Sequence, residues 1–151
     1  MSSDHAAWTL RREIPSDTTI GSELVDELLA AMTEREWPSA DLFRTQLAYQ
    51  EAIVNAIRHG NHSDPDKTVT VEMSCDDQRA TITITDQGDG FDPNDVPDPR
   101  SDELLEVPGG RGVLLINEIM NEVAYNDRGN QIKMTKIKGA NPPADEDDDD
   151  E

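Results

Sequence analysis

Residues 68–86 read TVTVEMSC, then DDQ, then RATITITD: two runs in which apolar and polar residues alternate, joined by three turn-forming residues. A period of two sends successive side chains to opposite faces of a strand, so neighbouring runs of this kind fold back on each other as an antiparallel hairpin. Val69, Val71, Met73 and Cys75 then lie on one apolar face, and Ile82 and Ile84 likewise. The same parity reaches Asp86, which falls on the side of Ile82 and Ile84. A carboxylate at the strand end is thereby aimed toward the core rather than at water.

The rest of the chain supplies elements to build around that hairpin. WTLRREI, residues 8–14, alternates Trp8, Leu10 and Ile14 with polar residues up to Pro15 and suits an opening strand. Ile20, Leu24, Leu28 and Met32 repeat at helical spacing as far as Trp37 and Pro38, predicting a first helix. A second helix is predicted from Ser39 or Asp41 to Gly60, with that glycine as a left-handed stop. GVLLINEIMNEV restores helical spacing through Val113, Ile116, Met120 and Val123, and QIKMTKI after the turn NDRGN reads as a last strand. Residues 92–110 carry four prolines and two glycines. A loop that long inside a compact domain is a functional lid or a disordered segment.

Within the second predicted helix, QEAIVNAIRHGN places Glu51, Asn55 and His59 along one stripe at four-residue intervals, beside an apolar face of Leu47, Ile53, Val54 and Ile57. An ordinary solvated face would also carry polar residues, so the stripe acquires meaning only with its companions. One is DQGDG, residues 86–90, where two glycines after the inward carboxylate let the backbone approach another group closely. A calcium-binding loop is excluded by spacing, because its third and fifth ligand positions fall on Gly88 and Gly90. Another is PGGRG, residues 108–112, before a helix predicted to start near Val113; glycines there expose N–H groups at the positive end of a helix dipole, which favours phosphate. Neither a G-x-x-x-x-G-K-[ST] phosphate loop nor a G-x-G-x-x-G dinucleotide fingerprint occurs, so any nucleotide must bind by another route.

Charge narrows the function classes. Thirty-three acidic against 13 basic side chains give a net charge of −20, which disfavours nucleic-acid duplexes and anionic membranes. Seven acidic residues form the terminal run from Asp145 to Glu151, and residues 139–151 are expected to be a disordered, solubilising tail. Residues 1–7 are likewise expected to be disordered. No run approaches the roughly 18 apolar residues of a membrane span and no secretory leader is evident, which predicts a cytoplasmic protein. The single cysteine, Cys75, is expected to pack in its strand.

EAIVNAIRHG, DQGDGF and GRGVLLI, in this order, resemble the N, G1 and G2 boxes of the GHKL (Bergerat-fold) ATPases, a superfamily that includes DNA gyrase and histidine-kinase ATPase domains. Within it the chain is most similar to the anti-sigma-factor serine kinases, over residues 8–138. The resemblance implies an α+β fold: a two-layer sandwich with a mixed, mostly antiparallel sheet and about three helices on one face. It implies ATP and Mg²⁺ as cofactors, with Asn55 holding the metal and Glu51 acting as general base. Asp86 would accept a hydrogen bond from the adenine amino group, Gly88 and Gly90 would admit the purine, and Gly110, Arg111 and Gly112 would close over the phosphates. Residues 92–110 become a lid, and His59 is structural. One departure is that the family often has Gly-Thr before the final strand, where this chain has Gly129-Asn130.

The expected activity is transfer of the ATP γ-phosphate to a serine of an anti-anti-sigma-like (STAS) partner, with a sigma factor as the second partner and a homodimer as the assembly. Two alternatives remain at this level: a non-catalytic sequestering module that keeps ATP as a structural ligand, and an ATPase. Hydrolysis is disfavoured because the chain ends soon after its last strand, with no transducer domain to drive. A histidine-kinase fragment is disfavoured because no helix with a phosphoacceptor histidine precedes the domain.

Overall fold

A computed structural model of the protein describes residues 7–88, 110–126 and 129–139, with the main chain alone described for 110–114. The expectations for residues 1–6, for Gly90, for 92–109 as a lid and for 140–151 as a tail lie outside these residues.

The elements in order are strand β1 (Trp8–Pro15), helices α1 (Thr18–Glu23), α2 (Val25–Glu34) and α3 (Ser39–Val54), a π-helical segment (Asn55–Gly60), strands β2 (Thr68–Cys75) and β3 (Arg79–Thr85), helix α4 (Gly110–Ile119), and strands β4 (Glu122–Tyr125) and β5 (Gln131–Ile137). The strands form one five-stranded sheet in the order β1-β2-β3-β5-β4. All four pairings are antiparallel, so the sheet is uniformly antiparallel among the described residues rather than mixed. The predicted hairpin sets Val71 opposite Ile84 and Met73 opposite Ile82. Its alternation decides burial: Val69, Val71, Met73, Cys75, Ile82 and Ile84 are all buried. Helix residues Val25, Leu28, Met32, Tyr49, Ile53, Ile57 and Ile116, with Met120 just past the end of α4, complete the core against that face. The opposite face stays polar, with Thr9, Arg11, Glu72, Thr81, Thr83 and Lys133 lining a shallow groove.

Three expectations about element boundaries are corrected. The first helix is broken at Leu24 because the Gly21 carbonyl accepts the buried Tyr49 hydroxyl at 2.6 Å and the Leu24 N–H at 3.3 Å, a tighter three-residue step. Asp17 caps its start, accepting the N–H groups of Thr19 and Ile20. Helix α4 begins at Gly110, so Gly110 and Gly112, expected to precede it, lie in its first turn. It also stops at Ile119 rather than running through Val123. Asn121 causes the stop: its N–H pairs with the Thr135 carbonyl at 3.0 Å and its Oδ1 accepts the Ile137 N–H at 2.8 Å, drawing the chain into β4, a strand the helical spacing had concealed.

The third correction concerns the helix that carries the polar stripe. It is α-helical only to Val54 and continues as a π-helix from Asn55 to Gly60. Asn61 donates its N–H to the Ala56 carbonyl at 2.9 Å, a five-residue step, so one extra residue enters the turn. Ala56 and Ile57 are fixed in the core and Asn61 is fully buried, which leaves the wide turn to absorb the phase difference. Gly60 is therefore no left-handed stop. The left-handed residues are His62 (φ 55°) and Ser63 (φ 56°), two and three residues later.

Buried charge ties the far end of the sandwich. Lys136 Nζ lies 3.2 Å from Asp41 Oδ1, with side chains 0% and 3% exposed, and Asp41 Oδ2 accepts the Gly139 N–H at 2.7 Å. This pair bolts the first turn of α3 to the end of β5.

Candidate functional site

Glu51 lies in the last turn of α3 and Asn55 opens the π segment, both half-buried, whereas His59 is exposed. The extra residue per turn rotates His59 off the stripe, so Glu51 and Asn55 form a polar pair without it. Such wide turns recur at functional sites because they re-aim side chains that a regular helix would stack.

The end of this helix meets the turn after β3. A Cβ placed on Gly60 would overlap Asp86 Oδ2 and stand 2.8 Å from Oδ1. A Cβ on Gly88 would overlap the Gly60 carbonyl oxygen and stand 2.7 Å from its carbon. Both positions need glycine for space: Gly60 for the carboxylate, Gly88 for the helix backbone. Asp86 is half-buried, and its Oδ1 accepts the Gly88 N–H at 2.8 Å. The carboxylate thus sits on the glycine that closes the helix bearing Glu51 and Asn55.

Four amide side chains frame this turn; sequence reasoning did not single out three of them, and it named the fourth, Asn130, only as a departure from the family pattern. Asn130, opening the approach to β5, accepts the Asp86 N–H on its main-chain oxygen at 2.9 Å and donates Nδ2 to the Asp86 carbonyl at 3.0 Å. Asn61 Oδ1 accepts the Gln87 N–H at 2.7 Å. Gln87 Oε1 in turn accepts the Thr68 N–H at 2.7 Å. Asn126 accepts the N–H groups of Gly129, Asn130 and Gln131 on its Oδ1 and so holds the β4–β5 turn. Their only signal in the sequence was position, Asn61 directly after HG and two asparagines flanking the NDRGN turn.

Gly110, Arg111 and Gly112 form the first turn of the ten-residue α4, which packs on α3. N–H groups in a first helical turn have no acceptor within the helix and carry the positive end of its dipole, so this end suits an anion. Among the described residues no group of three or more His, Cys, Asp or Glu side chains could hold a metal ion. A metal here would rely on few protein ligands. Mg²⁺ fits that condition, since it takes hard oxygen donors, keeps waters and completes its shell with phosphate oxygens; the Asn55 side-chain carbonyl is such a donor. Cys75 is buried and its thiol pKa is pushed up to about 11 by desolvation, which removes it from nucleophilic chemistry.

The family model described as histidine kinase-like ATPase domain matches residues 14–136. The chain is 33% identical over 106 residues to the serine-protein kinase RsbW of Bacillus licheniformis, covering 64% of this chain and 65% of that protein. It is 31% identical over 101 residues to the serine-protein kinase RsbW of Listeria monocytogenes, covering 60% and 62%. Against the serine-protein kinase RsbW of Bacillus subtilis strain 168 the identity is 30% over 100 residues, covering 60% and 61%. The chain thus spans somewhat less than two thirds of the length of these curated relatives.

Proposed function

Since this chain belongs to the histidine kinase-like ATPase domain family, we propose that it is an ATP- and Mg²⁺-dependent protein serine kinase. Its substrate is a serine on an anti-anti-sigma-like (STAS) partner, and in the absence of that partner's unphosphorylated form it binds a sigma factor. It works as a cytoplasmic homodimer; among the described residues no helix is long and apolar enough to cross a membrane. The catalytic unit is residues 8–138, with 92–110 as its lid.

The observation that carries the proposal is the seating of Asp86, a carboxylate at a strand end packed on the glycine that closes the helix of Glu51 and Asn55. In this reading Asp86 accepts a hydrogen bond from the adenine amino group, and Gly88 and Gly90 leave room for the purine. Asn55 would hold Mg²⁺ through its side-chain oxygen, and the ion would supply charge to neutralise the phosphates. The first turn of α4, Gly110 to Gly112, presents N–H groups to the phosphates, with Arg111 adding a cation. Glu51, four residues before Asn55, accepts the proton of the serine hydroxyl. Phosphoryl transfer needs little more than positioning, charge neutralisation and a base, and these residues provide each.

The test is incubation of the protein with labelled ATP, Mg²⁺ and a lysate of the source cell. The expected result is one small protein labelled on serine. Label recovered only as free phosphate would overturn the kinase assignment in favour of hydrolysis, and an unchanged melting temperature with ADP or ATP would overturn nucleotide binding itself.

A further inference from the structure

The peptide unit joining Asp86 to Gln87 lies beyond the end of β3, yet both of its polar atoms are engaged by asparagine side chains from opposite sides. Its N–H donates to Asn61 Oδ1 at 2.7 Å, and its carbonyl accepts Asn130 Nδ2 at 3.0 Å. Neither amide is free to turn over. Asn61 is fully buried and spends its Nδ2 hydrogens on Ser16 Oγ at 3.1 Å and the Thr68 carbonyl at 3.0 Å, so its oxygen must face Gln87. Ser16 is itself oriented by donating its hydroxyl to the Lys67 carbonyl at 2.9 Å. Asn130 Oδ1 accepts Asn126 Nδ2 at 2.8 Å, which leaves its own Nδ2 for Asp86. Two segments, the end of the π helix and the β4–β5 turn, hold this peptide plane directly, and the β1–α1 junction and the start of β2 hold Asn61 in place.

We infer that Asn61 and Asn130 are positioning residues that clamp the Asp86–Gln87 peptide and thereby set the purine selectivity of the nucleotide site. Fixing this plane fixes the main-chain torsion that follows the Asp86 Cα and so holds the turn in which the Gly88 N–H reaches Asp86 Oδ1 at 2.8 Å, the bond that keeps the carboxylate from rotating. The consequence is chemical. A carboxylate accepts a hydrogen bond from the amino group of adenine and repels the carbonyl that guanine carries in its place, but it rejects guanine only if it cannot swing aside. The inference rests on the proposed reading of Asp86 as the purine contact and adds what enforces it. Asn130 acts here through the Asp86 backbone.

The experiment measures ADP and GDP dissociation constants by titration calorimetry for the wild-type full chain, Asn130→Ala and Gly139→Ala. Gly139 has no neighbour within 4 Å of a built Cβ and a φ of 72°, so its variant carries folding strain without touching the site. The expected result is a wild type that prefers ADP, a fall of about tenfold or more in the ADP-over-GDP ratio for Asn130→Ala, and an unchanged ratio for Gly139→Ala. A wild type that binds ADP no better than GDP refutes the purine role of Asp86 and, with it, the inference. A wild type that discriminates while Asn130→Ala keeps the full ratio refutes the inference alone, and a ratio that falls equally in Gly139→Ala does the same. Should Asn130→Ala not fold, hydrogen exchange on the wild type decides: the Gln87 N–H, on an exposed residue outside any strand, is expected to be protected as strongly as strand amides, and rapid exchange would refute the clamp.

Discussion

Replacing Gly60 by alanine tests the close approach on which the site depends. The added Cβ would overlap Asp86 Oδ2 and Cγ and lie 2.8 Å from Oδ1, so its three nearest contacts are all with one carboxylate. That carboxylate can escape by rotating, but rotation breaks its hydrogen bond to the Gly88 N–H, a charge-assisted bond contributing about 1.5–3 kcal/mol. If the π segment retreats instead, overpacking costs about 1–3 kcal/mol. Stiffening of the unfolded chain by alanine returns about 0.4–1 kcal/mol. The net expectation is a loss of about 1–2 kcal/mol, or roughly 3–8 °C in melting temperature for a chain of this size. Nucleotide binding should suffer more than stability, because the displaced group is the proposed purine contact: about 10- to 100-fold weaker ADP affinity. Urea unfolding gives the first number and calorimetric titration the second. Gly139→Ala is the control, with a comparable stability loss of about 1–2 kcal/mol from left-handed strain and wild-type affinity. A Gly60→Ala protein with unchanged stability and affinity would show that the backbone does not approach Asp86 as described.

Lys136→Met leaves Asp41 buried and uncompensated, and is expected to cost about 3–5 kcal/mol in urea unfolding, while Asp41→Leu combined with Lys136→Met recovers most of it; equal losses in single and double variants would refute the coupling. Glu51→Ala should slow phosphotransfer by about 10²- to 10⁴-fold with ADP affinity nearly kept, and an unaltered single-turnover rate would remove Glu51 as the base. Burial raises the Cys75 thiol from 9.0 to about 11, so between those values the unfolded chain has lost a proton that the folded chain keeps. Stability is therefore expected to fall as pH rises from 9 toward 11, and Cys75→Ala should flatten that slope; a slope of the same size in the variant would assign it to other groups.

How far the site could be read from sequence varies residue by residue. Glu51, Asn55, Asp86 and Gly88 stood out because each broke a local pattern: a polar residue in an apolar helix, a carboxylate on the buried parity of a strand, a glycine after it. Asn61, Asn126 and Asn130 broke none. Asparagine in turns is ordinary, and its partners lie tens of residues away, Asp86 for Asn130 and Ser16 for Asn61. His59 was misplaced for a related reason, since spacing assumes a constant 3.6-residue turn that the chain abandons at Asn55.

What the sequence determined unaided are the properties with a short repeat. The period of two in β2 and β3 chose which side chains are buried and which side Asp86 takes, and helical spacing located α3 and the bulk of α2, because burying an apolar stripe is a decision made over a few neighbouring residues. What tertiary structure decided are the outcomes that depend on a distant acceptor or a contested space. The π turn, the arrest of α4 at Asn121, the pairing of Lys136 with Asp41 and the clamp on the Asp86–Gln87 peptide all arise because a buried polar group must find its partner wherever the fold brings one.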